Sequence, residues 1–516
     1  MVTNLSCSLQ DLLGTEYLDG VCRARAALTG EPEAALRRIA SEKVDFYPAE
    51  FAARQEALMQ QIGQVLCPPA PQSVQTLHGA PTDAFRSAQH QSFAPMSGLG
   101  CFRIGEDGRL FFAGKSEHYH IPLGHCFPGY ALLENAKRLG IPNATHNNTR
   151  GYVTRLLEQT LIEAANGVTA GTAGFEALLS KREPGVLNRV INLETGSLVT
   201  EAAFKMMLSR FYTIDGKPAP YAGRIPVFLV MGDNNGGFAA GYHGTTLFAQ
   251  MLRGLWPELS ARAGDTCRIV SVAINDISDF RRAIERWNRA PYKTAGFCHE
   301  IILMNYSCIV LQADYLHEVY RLCRQSDTRV LCDEIQSCAW YDTLYLFRRL
   351  GLTPDFVSVG KGFPGGNYAA SKVLVSGAFD NLDQFGALVT NGQEELASLS
   401  YLITIAFLRA NAGHIRTTAD FIHRRLAALA GAHASLCSGV EGEGYMTALR
   451  FLHAEHAAAF CKQMNERCCI DMSAQTNKAG CPPVALMKLP LIVSETMVEA
   501  LAERMDHTLT ELEGRP

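Results

Sequence analysis

Two apolar runs, each ending in an ionisable residue, lie close together in the chain: Arg329-Val330-Leu331-Cys332-Asp333 and Phe356-Val357-Ser358-Val359-Gly360-Lys361. Both runs are short and apolar and are bounded by polar turns, which predicts two buried strands of one sheet. In open α/β sheets, ligands bind at the carboxyl ends of the parallel strands. Asp333 and Lys361 are therefore predicted to meet at a ligand-binding edge.

Five further apolar runs alternate with helical patterns, as is typical of a parallel sheet covered by helices. The seven predicted strands are residues 189–193, 225–231, 268–273, 300–304, 329–332, 355–359 and 372–376. The predicted helices between them include residues 199–211, 277–289, 314–325 and 342–350. The pattern predicts an α/β protein with a large, mostly parallel sheet domain in three αβα layers.

Composition and charge limit the class of partner. The 516 residues are 47% hydrophobic and 19% charged, which is ordinary for a globular protein with two or three domains. The formal net charge of −4 offers no basic surface for a nucleic acid or a membrane. A small-molecule substrate is the expected partner, and neither nucleic acid nor membrane is expected.

The amino terminus and the cysteines favour a cytoplasmic location. Residues 1–13 lack the basic segment and the uninterrupted apolar segment of a signal peptide. The 16 cysteines are scattered without a C-x-x-C pair, which favours reduced thiols over a disulfide framework. No metal site is predicted, because His118 and His120 lack other ligands at a matching spacing.

An aspartate and a lysine at one sheet edge suit pyridoxal phosphate (PLP). The pyridine nitrogen of PLP must stay protonated for the ring to act as an electron sink, and the Asp333 carboxylate would stabilise that cation. The aldehyde forms a Schiff base with an unprotonated amine, and a lysine beside a cationic ring in a partly dry site has a lowered pKa. Lys361 is the candidate amine. Taken alone, an acidic residue after a strand is more often a helix cap or an ion-pair partner.

Two more segments match the remaining parts of such a cofactor. Thr195-Gly196-Ser197 lies between a predicted strand and a predicted helix, where free N–H groups and the helix dipole favour a phosphate. An ordinary Gly-Ser helix cap is the alternative. Tyr242-His243-Gly244 offers an aromatic ring that could stack on the pyridine, although a tyrosine is more often a packing residue.

In this order, these segments resemble the class III (ω-type) aminotransferases, which are fold-type I PLP enzymes. The resemblance covers roughly residues 100–510, and motifs in the right order are harder to obtain by chance than any one of them. The other segments that carry it are residues 102–108, 123–128, 354–355, 361–366, 442–451 and 487–490, with Glu300 at the family's Glu-Pro position and residues 333–336 as its Asp-Glu-x-Gln segment.

The resemblance implies a PLP-dependent transferase that acts on an amine or an amino acid through a Lys361 Schiff base. Lys361 would also carry a proton between the substrate α-carbon and the cofactor. The resemblance assigns the pyridine nitrogen to Asp333, the 3′-oxygen to Gln336, ring stacking to the Tyr242-His243 motif, phosphate binding to Gly196 and Ser197, and a place in the site to Glu300.

The resemblance also implies an organisation of the chain. It predicts an N-terminal helical extension over residues 1–94, the N-terminal part of a small α+β domain over 95–138, a large PLP-binding domain over 139–410 and a C-terminal small domain over 411–516. Helical patterns at residues 33–43 and 50–65 lie in the extension. A homodimer with shared active sites is expected.

Three departures from the family pattern leave the reaction open. Leu198-Val199-Thr200 replaces Glu-Ala-Asn after the phosphate turn. The threonine that the partner subunit offers to the phosphate is missing, so that Thr390 or Gln393 substitutes for it or the loop is displaced, because Glu394 would repel a phosphate. Lys488 is the nearest counterpart of the arginine that binds a substrate carboxylate, although a lysine is a weaker bidentate ligand.

Three hypotheses follow from different classes of protein. The first is an aminotransferase that alternates between an amino donor and a keto acceptor. The second is a PLP enzyme of specialised metabolism that performs racemisation, decarboxylation, or γ-elimination and carbon–carbon bond formation on an activated amino acid such as S-adenosylmethionine. The third is a non-catalytic binding or regulatory module, which the intact Asp333 and Lys361 disfavour.

Overall fold

A computed structural model of the chain describes residues 1–71, 82–88, 93–214, 216–232, 245–476 and 480–514. Its centre is a seven-stranded sheet with the spatial order β1-β7-β6-β5-β4-β2-β3. The strands are β1 (Leu187–Leu193), β2 (Ile225–Met231), β3 (Arg268–Val272), β4 (Tyr292–His299), β5 (Arg329–Asp333), β6 (Phe356–Val359) and β7 (Ser371–Ser376). Only β7 runs antiparallel to its neighbours, so the predicted mostly parallel α/β fold is confirmed.

The central strands are buried on both faces. Every residue of β5, β6 and β7 is buried, as expected for strands that helices cover on both sides. The β5–β6 ladder pairs Asp333 with Ser358, so the end of β5 lies directly beside β6. This register places the polar ends of both strands at one edge of the sheet.

The predicted strand at residues 300–304 is wrong. The strand of the main sheet is β4, which ends at His299, and Ile302–Leu303 forms only a short hairpin with Ile309–Val310. Hydropathy misplaced the strand because β4 contains buried polar side chains whose hydrogen bonds are satisfied. Lys293 donates to the Ser326 carbonyl over 2.7 Å, and His299 bonds the Tyr320 hydroxyl over 3.0 Å.

Helices cover the sheet and begin earlier or end sooner than predicted. The helix predicted from residue 199 begins at Gly196, with Thr195 as its N-cap. The helix predicted over residues 342–350 is reduced to Leu346–Arg349, because the buried Glu334 carboxylate accepts the backbone N–H groups that begin it. The other helices of eight or more residues after residue 130 are Ala131–Arg138, Tyr152–Asn166, Ala173–Ser180, Ile277–Trp287, Ala313–Gln325, Glu395–Ala410, Ala412–Ala432, Ala454–Glu466 and Glu495–Glu513.

Smaller elements flank the main sheet. A four-stranded antiparallel sheet contains Cys437–Glu443, Met446–Phe451, Ser473–Gln475 and Val484–Lys488, and a three-stranded sheet contains Pro95–Leu99, Phe102–Gly105 and Leu110–Phe112. The N-terminal extension is helical and includes Leu9–Leu13, Thr15–Thr29, Glu33–Ser41 and Ala49–Met59. It is tied to the C-terminal part by hydrogen bonds such as Thr3 N–H to Asn411 (2.7 Å). The domain boundaries stay a prediction.

No single helix within the described ranges is long and apolar enough to cross a membrane. Glu395–Ala410 and Ala412–Ala432 reach that length and composition only as a pair, and the pair is bent by 73°.

A histidine and two carboxylates join the last helix to the helix Ala412–Ala432. His433 bonds Asp506 and Glu513, each over 3.0 Å. Burial alone would lower the pKa of His433, but these two carboxylates outweigh it and raise the pKa above its ordinary value. A raised folded-state pKa stabilises the fold fully below the unfolded value of about 6.5, and this stability is lost as the pH rises through the folded value.

We therefore expect His433→Gln to lower the melting temperature at pH 6 and to have little effect at pH 9. The loss at pH 6 should correspond to about 1 kcal/mol or less, because both partner carboxylates are partly exposed. Thermal unfolding of both proteins across this pH range measures the difference, and an equal difference at every pH would contradict the account.

Candidate active site

The carboxyl ends of β5 and β6 open into one cavity of about 490 Å³. Asp333 is the last residue of β5, and Lys361 follows the end of β6. The first turn of the helix Gly196–Leu208 lines the same cavity. The structure therefore brings together four of the predicted site residues: Gly196, Ser197, Asp333 and Lys361.

The Asp333 carboxylate is held in place by its own strand and the next one. Its Oδ1 atom accepts hydrogen bonds from the Ser358 hydroxyl (2.5 Å) and from the Ile335 backbone N–H (2.9 Å). Asp333 is only 2% exposed. A buried, oriented carboxylate of this kind can stabilise a positive charge placed opposite it.

Lys361 has the properties of a reactive amine. Burial lowers the pKa of Lys361, although the charges of Glu300 and Asp333 act in the opposite direction. Its backbone φ of +24° is uncommon for a residue with a side chain, and strain of this kind is concentrated at functional sites. A lowered pKa increases the fraction of the amine that is unprotonated and nucleophilic.

The helix Gly196–Leu208 presents its N-terminus to the cavity. The first backbone N–H groups of a helix have no partner within it and attract anions. The Ser197 hydroxyl lies 3.1 Å from the Thr245 hydroxyl and accepts the Thr245 backbone N–H (2.9 Å). The Thr200 hydroxyl, one turn further along, is buried without a hydrogen-bond partner in the described part of the chain.

Glu300 and Gln336 form a buried pair next to the cavity. Gln336 Nε2 donates to Glu300 Oε1 over 2.8 Å, and the two residues are 1% and 3% exposed respectively. Glu300 lies just beyond the carboxyl end of β4. The sequence placed it at the start of a predicted strand instead, so its position at a strand end was not recognised. Its negative charge acts on Lys361, as noted above.

Lys488 lies deeper than a substrate ligand would. It is fully buried, and its Nζ atom donates to the Gln336 carbonyl and lies 4.2 Å and 4.7 Å from the ring centroids of Trp340 and Tyr119. Burial lowers the pKa of Lys488 well below its ordinary value, and the nearby Lys361 adds to this. Lys361 is the only lysine or arginine in the described lining of the cavity. Carboxylate binding by Lys488 stays a prediction.

An uncommon backbone turn closes one side of the site. Ser116, Glu117, His118 and Tyr119 all have positive φ, between +47° and +74°. None is a glycine, and the left-handed region costs roughly 1–2 kcal/mol for each residue with a side chain. The next residue, His120, lines the cavity.

Three predicted site residues are not placed around the cavity. Tyr242 and His243 lie outside the described residues. Thr390 is exposed and is not part of the described lining, whereas Gln393 is buried and bonds Asn192 Nδ2 over 3.2 Å. Gln393 is therefore engaged within its own chain. The assignments of Tyr242, His243 and Thr390 stay predictions.

Several residues that the fold brings to the site were not among the predicted site residues. Ser358 was detectable, because it is the one hydroxyl in an otherwise apolar run next to Lys361. Tyr119 and His120 had no such signal, since they reach the site through a left-handed turn that their residue types disfavour. Asn367, Tyr368 and Ser371 also line the cavity.

The residues at this edge fit PLP. A carboxylate suits the pyridine nitrogen, an amine the aldehyde, and a helix N-terminus the phosphate. A Cβ atom on Gly360 would lie 2.3 Å from the Ser371 hydroxyl, and one on Gly196 would lie 3.1 Å from Ile335 Cδ1, so the backbone is closely packed at both positions. The unpartnered Thr200 hydroxyl adds a donor near the phosphate end.

Comparison with known proteins identifies a matching family and several relatives. A family model described as "Aminotransferase class-III" matches residues 85–509. The ornithine aminotransferase of Emericella nidulans is 27% identical over 281 residues, which are 52% of this chain and 53% of that protein. The chain thus spans about half the length of this relative. For the ornithine aminotransferase of Bordetella pertussis, 24% identity extends over 80% of this chain and 90% of that protein.

Solved structures share the fold at low sequence identity. The ornithine aminotransferase from Toxoplasma gondii ME49 superposes with a TM-score of 0.65 at 16% identity, covering 86% of this chain and 98% of that one. A transaminase from the marine bacterium Virgibacillus gives a TM-score of 0.66 at 15% identity with the same coverage. These matches support the fold over most of the chain.

Proposed function

We propose, since the chain belongs to the class III aminotransferase family, that it is a PLP-dependent aminotransferase acting on an amino-acid substrate. The observation that carries this proposal is the meeting of Asp333, Lys361 and the Gly196-Ser197 turn around one cavity. Each of the three groups matches a different part of the cofactor.

Each of these residues would serve a different part of the cofactor or the reaction. When bound, PLP supplies an electron sink for the carbon atom that carries the amino group. Asp333 would hold the positive charge of the pyridine nitrogen, and the amides of Gly196 and Ser197 would hold the phosphate. The Lys361 amine, with its lowered pKa, would accept a proton from the substrate carbon at Nζ and return it two bonds away, to the carbon on the other side of the amino nitrogen.

The relatives suggest a class of donor. The names of the matching proteins are ornithine aminotransferase and, for a solved structure from Stenotrophomonas maltophilia, N-acetylornithine aminotransferase. A basic amino acid of the ornithine type, free or acylated, is therefore the donor we propose.

A homodimer with shared active sites is part of the same proposal. Thr390 is exposed and is not part of the described lining of its own chain's cavity, which suits a residue that would be offered to the site of a second subunit. Gln393 is engaged with Asn192, so Thr390 is the better candidate for this contact.

A half-reaction tests the proposed activity. Full-length protein loaded with PLP is mixed with ornithine, N-acetylornithine or other amino acids, one at a time and without an acceptor. We expect at least one donor to convert the cofactor to its amine form with release of one equivalent of carbonyl product, and a 2-oxo acid to reverse the change. Release of carbon dioxide or of the opposite enantiomer, with no amine form of the cofactor, would contradict transamination.

A further inference from the structure

The left-handed turn Ser116–Tyr119 has no local cause. Four consecutive residues with side chains have positive φ, and the N–H groups of Tyr119 and His120 bond the carbonyls of Lys115 and Ser116, at 3.0 and 3.1 Å. Glycine or asparagine would favour this backbone, and neither is present. Tertiary contacts must therefore hold the turn in place.

Glu117 makes the main contact of the turn with the rest of the chain. Its Oε1 atom accepts from Arg103 Nη1 and lies 2.9 Å from His125 Nε2. The Arg103 side chain is 1% exposed and also donates to Asp471 over 2.9 Å. His125 is fixed in turn by two backbone hydrogen bonds to Gly100, of 2.7 and 2.8 Å. Glu117 is thus bound to two side chains that are themselves immobilised.

The turn ends in a ring that covers the reactive amine. The Tyr119 side chain is buried, and its centroid lies 5.5 Å from the Nζ atom of Lys361 and 4.7 Å from that of Lys488. The Ser116 hydroxyl, at the start of the turn, donates to the Lys488 carbonyl over 2.7 Å. A buried ring at this distance excludes water from one side of the Lys361 amine.

We propose that Glu117 is a positioning residue of this active site, which holds the left-handed turn so that the Tyr119 ring shields the Lys361 amine from water. Arg103 and His125 act through Glu117 in the same way. The inference rests on the role of Lys361 in the proposed function. It assigns Tyr119 to the immediate surroundings of the reacting amine.

The expected effect has a defined direction. Burial is the largest influence on the pKa of Lys361 and lowers it, so admitting water raises it. The attraction of the ring for an ammonium group acts in the opposite direction, and we expect the effect of burial to prevail. Among the described residues, the titratable groups that face Lys361 are Tyr119, His120, Glu300, Asp333, Cys338 and Lys488. Those that face Glu117 are Arg103, Lys115, His120, His125 and Asp471.

The test measures the amine itself in full-length protein freed of cofactor. Trace labelling with acetic anhydride over a range of pH, followed by mass spectrometry of the Lys361 peptide, gives the pH at which this lysine is half reactive. We expect that pH to rise by about one unit in Glu117→Gln and in Tyr119→Ala as water reaches the amine. Tyr119→Phe keeps the ring and should leave the value unchanged.

A matched control removes a buried carboxylate elsewhere. Asp355 is paired with Arg329 at the opposite end of β6, so Asp355→Asn should destabilise the fold without changing Lys361 labelling. An unchanged value in folded Glu117→Gln would overturn the proposal, as would an equal shift in Tyr119→Phe and Tyr119→Ala. If Glu117→Gln does not fold, the labelling pH of Lys361 in Tyr119→Ala and Tyr119→Phe tests the proposal. Because labelling needs neither substrate nor turnover, the result stands apart from the half-reaction.

Discussion

Replacing Lys361 by alanine is expected to lower turnover with any amino donor by about 10³-fold or more. The amine would both attach the cofactor and move the proton, and both roles depend on its place just after the end of β6. Within the described lining, no other lysine or arginine is present to replace it. The variant should still fold, because Lys361 makes no ion pair with a described residue.

Single-turnover kinetics with saturating PLP measure this loss. Lys293→Met is the matched control. Lys293 is a buried lysine of the same sheet, near the start of β4, and its Nζ atom donates to the Ser326 carbonyl. The control should keep wild-type turnover per folded molecule. A Lys361→Ala protein that retains a tenth or more of the wild-type rate would exclude Lys361 as the proton carrier.

Asp333→Asn is expected to lower turnover by about 10²- to 10³-fold and to weaken PLP binding. An asparagine oxygen can still accept from the Ser358 hydroxyl and the Ile335 N–H, so the local structure should persist. The negative charge that stabilises a protonated pyridine nitrogen is lost, and the ring becomes a poorer electron sink.

Titration of the cofactor-free protein with PLP and turnover at saturating PLP separate the two effects. Asp355→Asn serves again as the control, because it removes a carboxylate from the other end of β6. Wild-type turnover in Asp333→Asn at saturating PLP would show that this carboxylate does not serve the pyridine nitrogen.

The strands of the sheet could be predicted from the sequence wherever the buried residues are also the apolar ones. β5, β6 and β7 each contain a buried apolar run, and their ends were predicted within one residue. β4 was displaced because Lys293 and His299 are buried with their hydrogen bonds satisfied by residues distant in sequence. A single-sequence pattern has no access to such partners.

The site residues also fall into a group that the sequence predicts and a group that it does not. Asp333, Lys361 and Gly196 could be predicted because they follow strands, and strand ends of a parallel sheet converge. The left-handed turn could not, since its residues disfavour that backbone and it is held by contacts with distant residues such as Arg103, His125 and Lys488. Contacts that join distant segments decide this part of the site.

The central claim is that Lys361 is the residue that binds PLP. It is tested most directly by reducing the PLP-loaded protein with borohydride, digesting it and locating the modified lysine by mass spectrometry. The account predicts a phosphopyridoxyl group on the peptide that contains Lys361 and on no other peptide. A modification on Lys372, Lys488 or another lysine, with Lys361 unmodified, would contradict it.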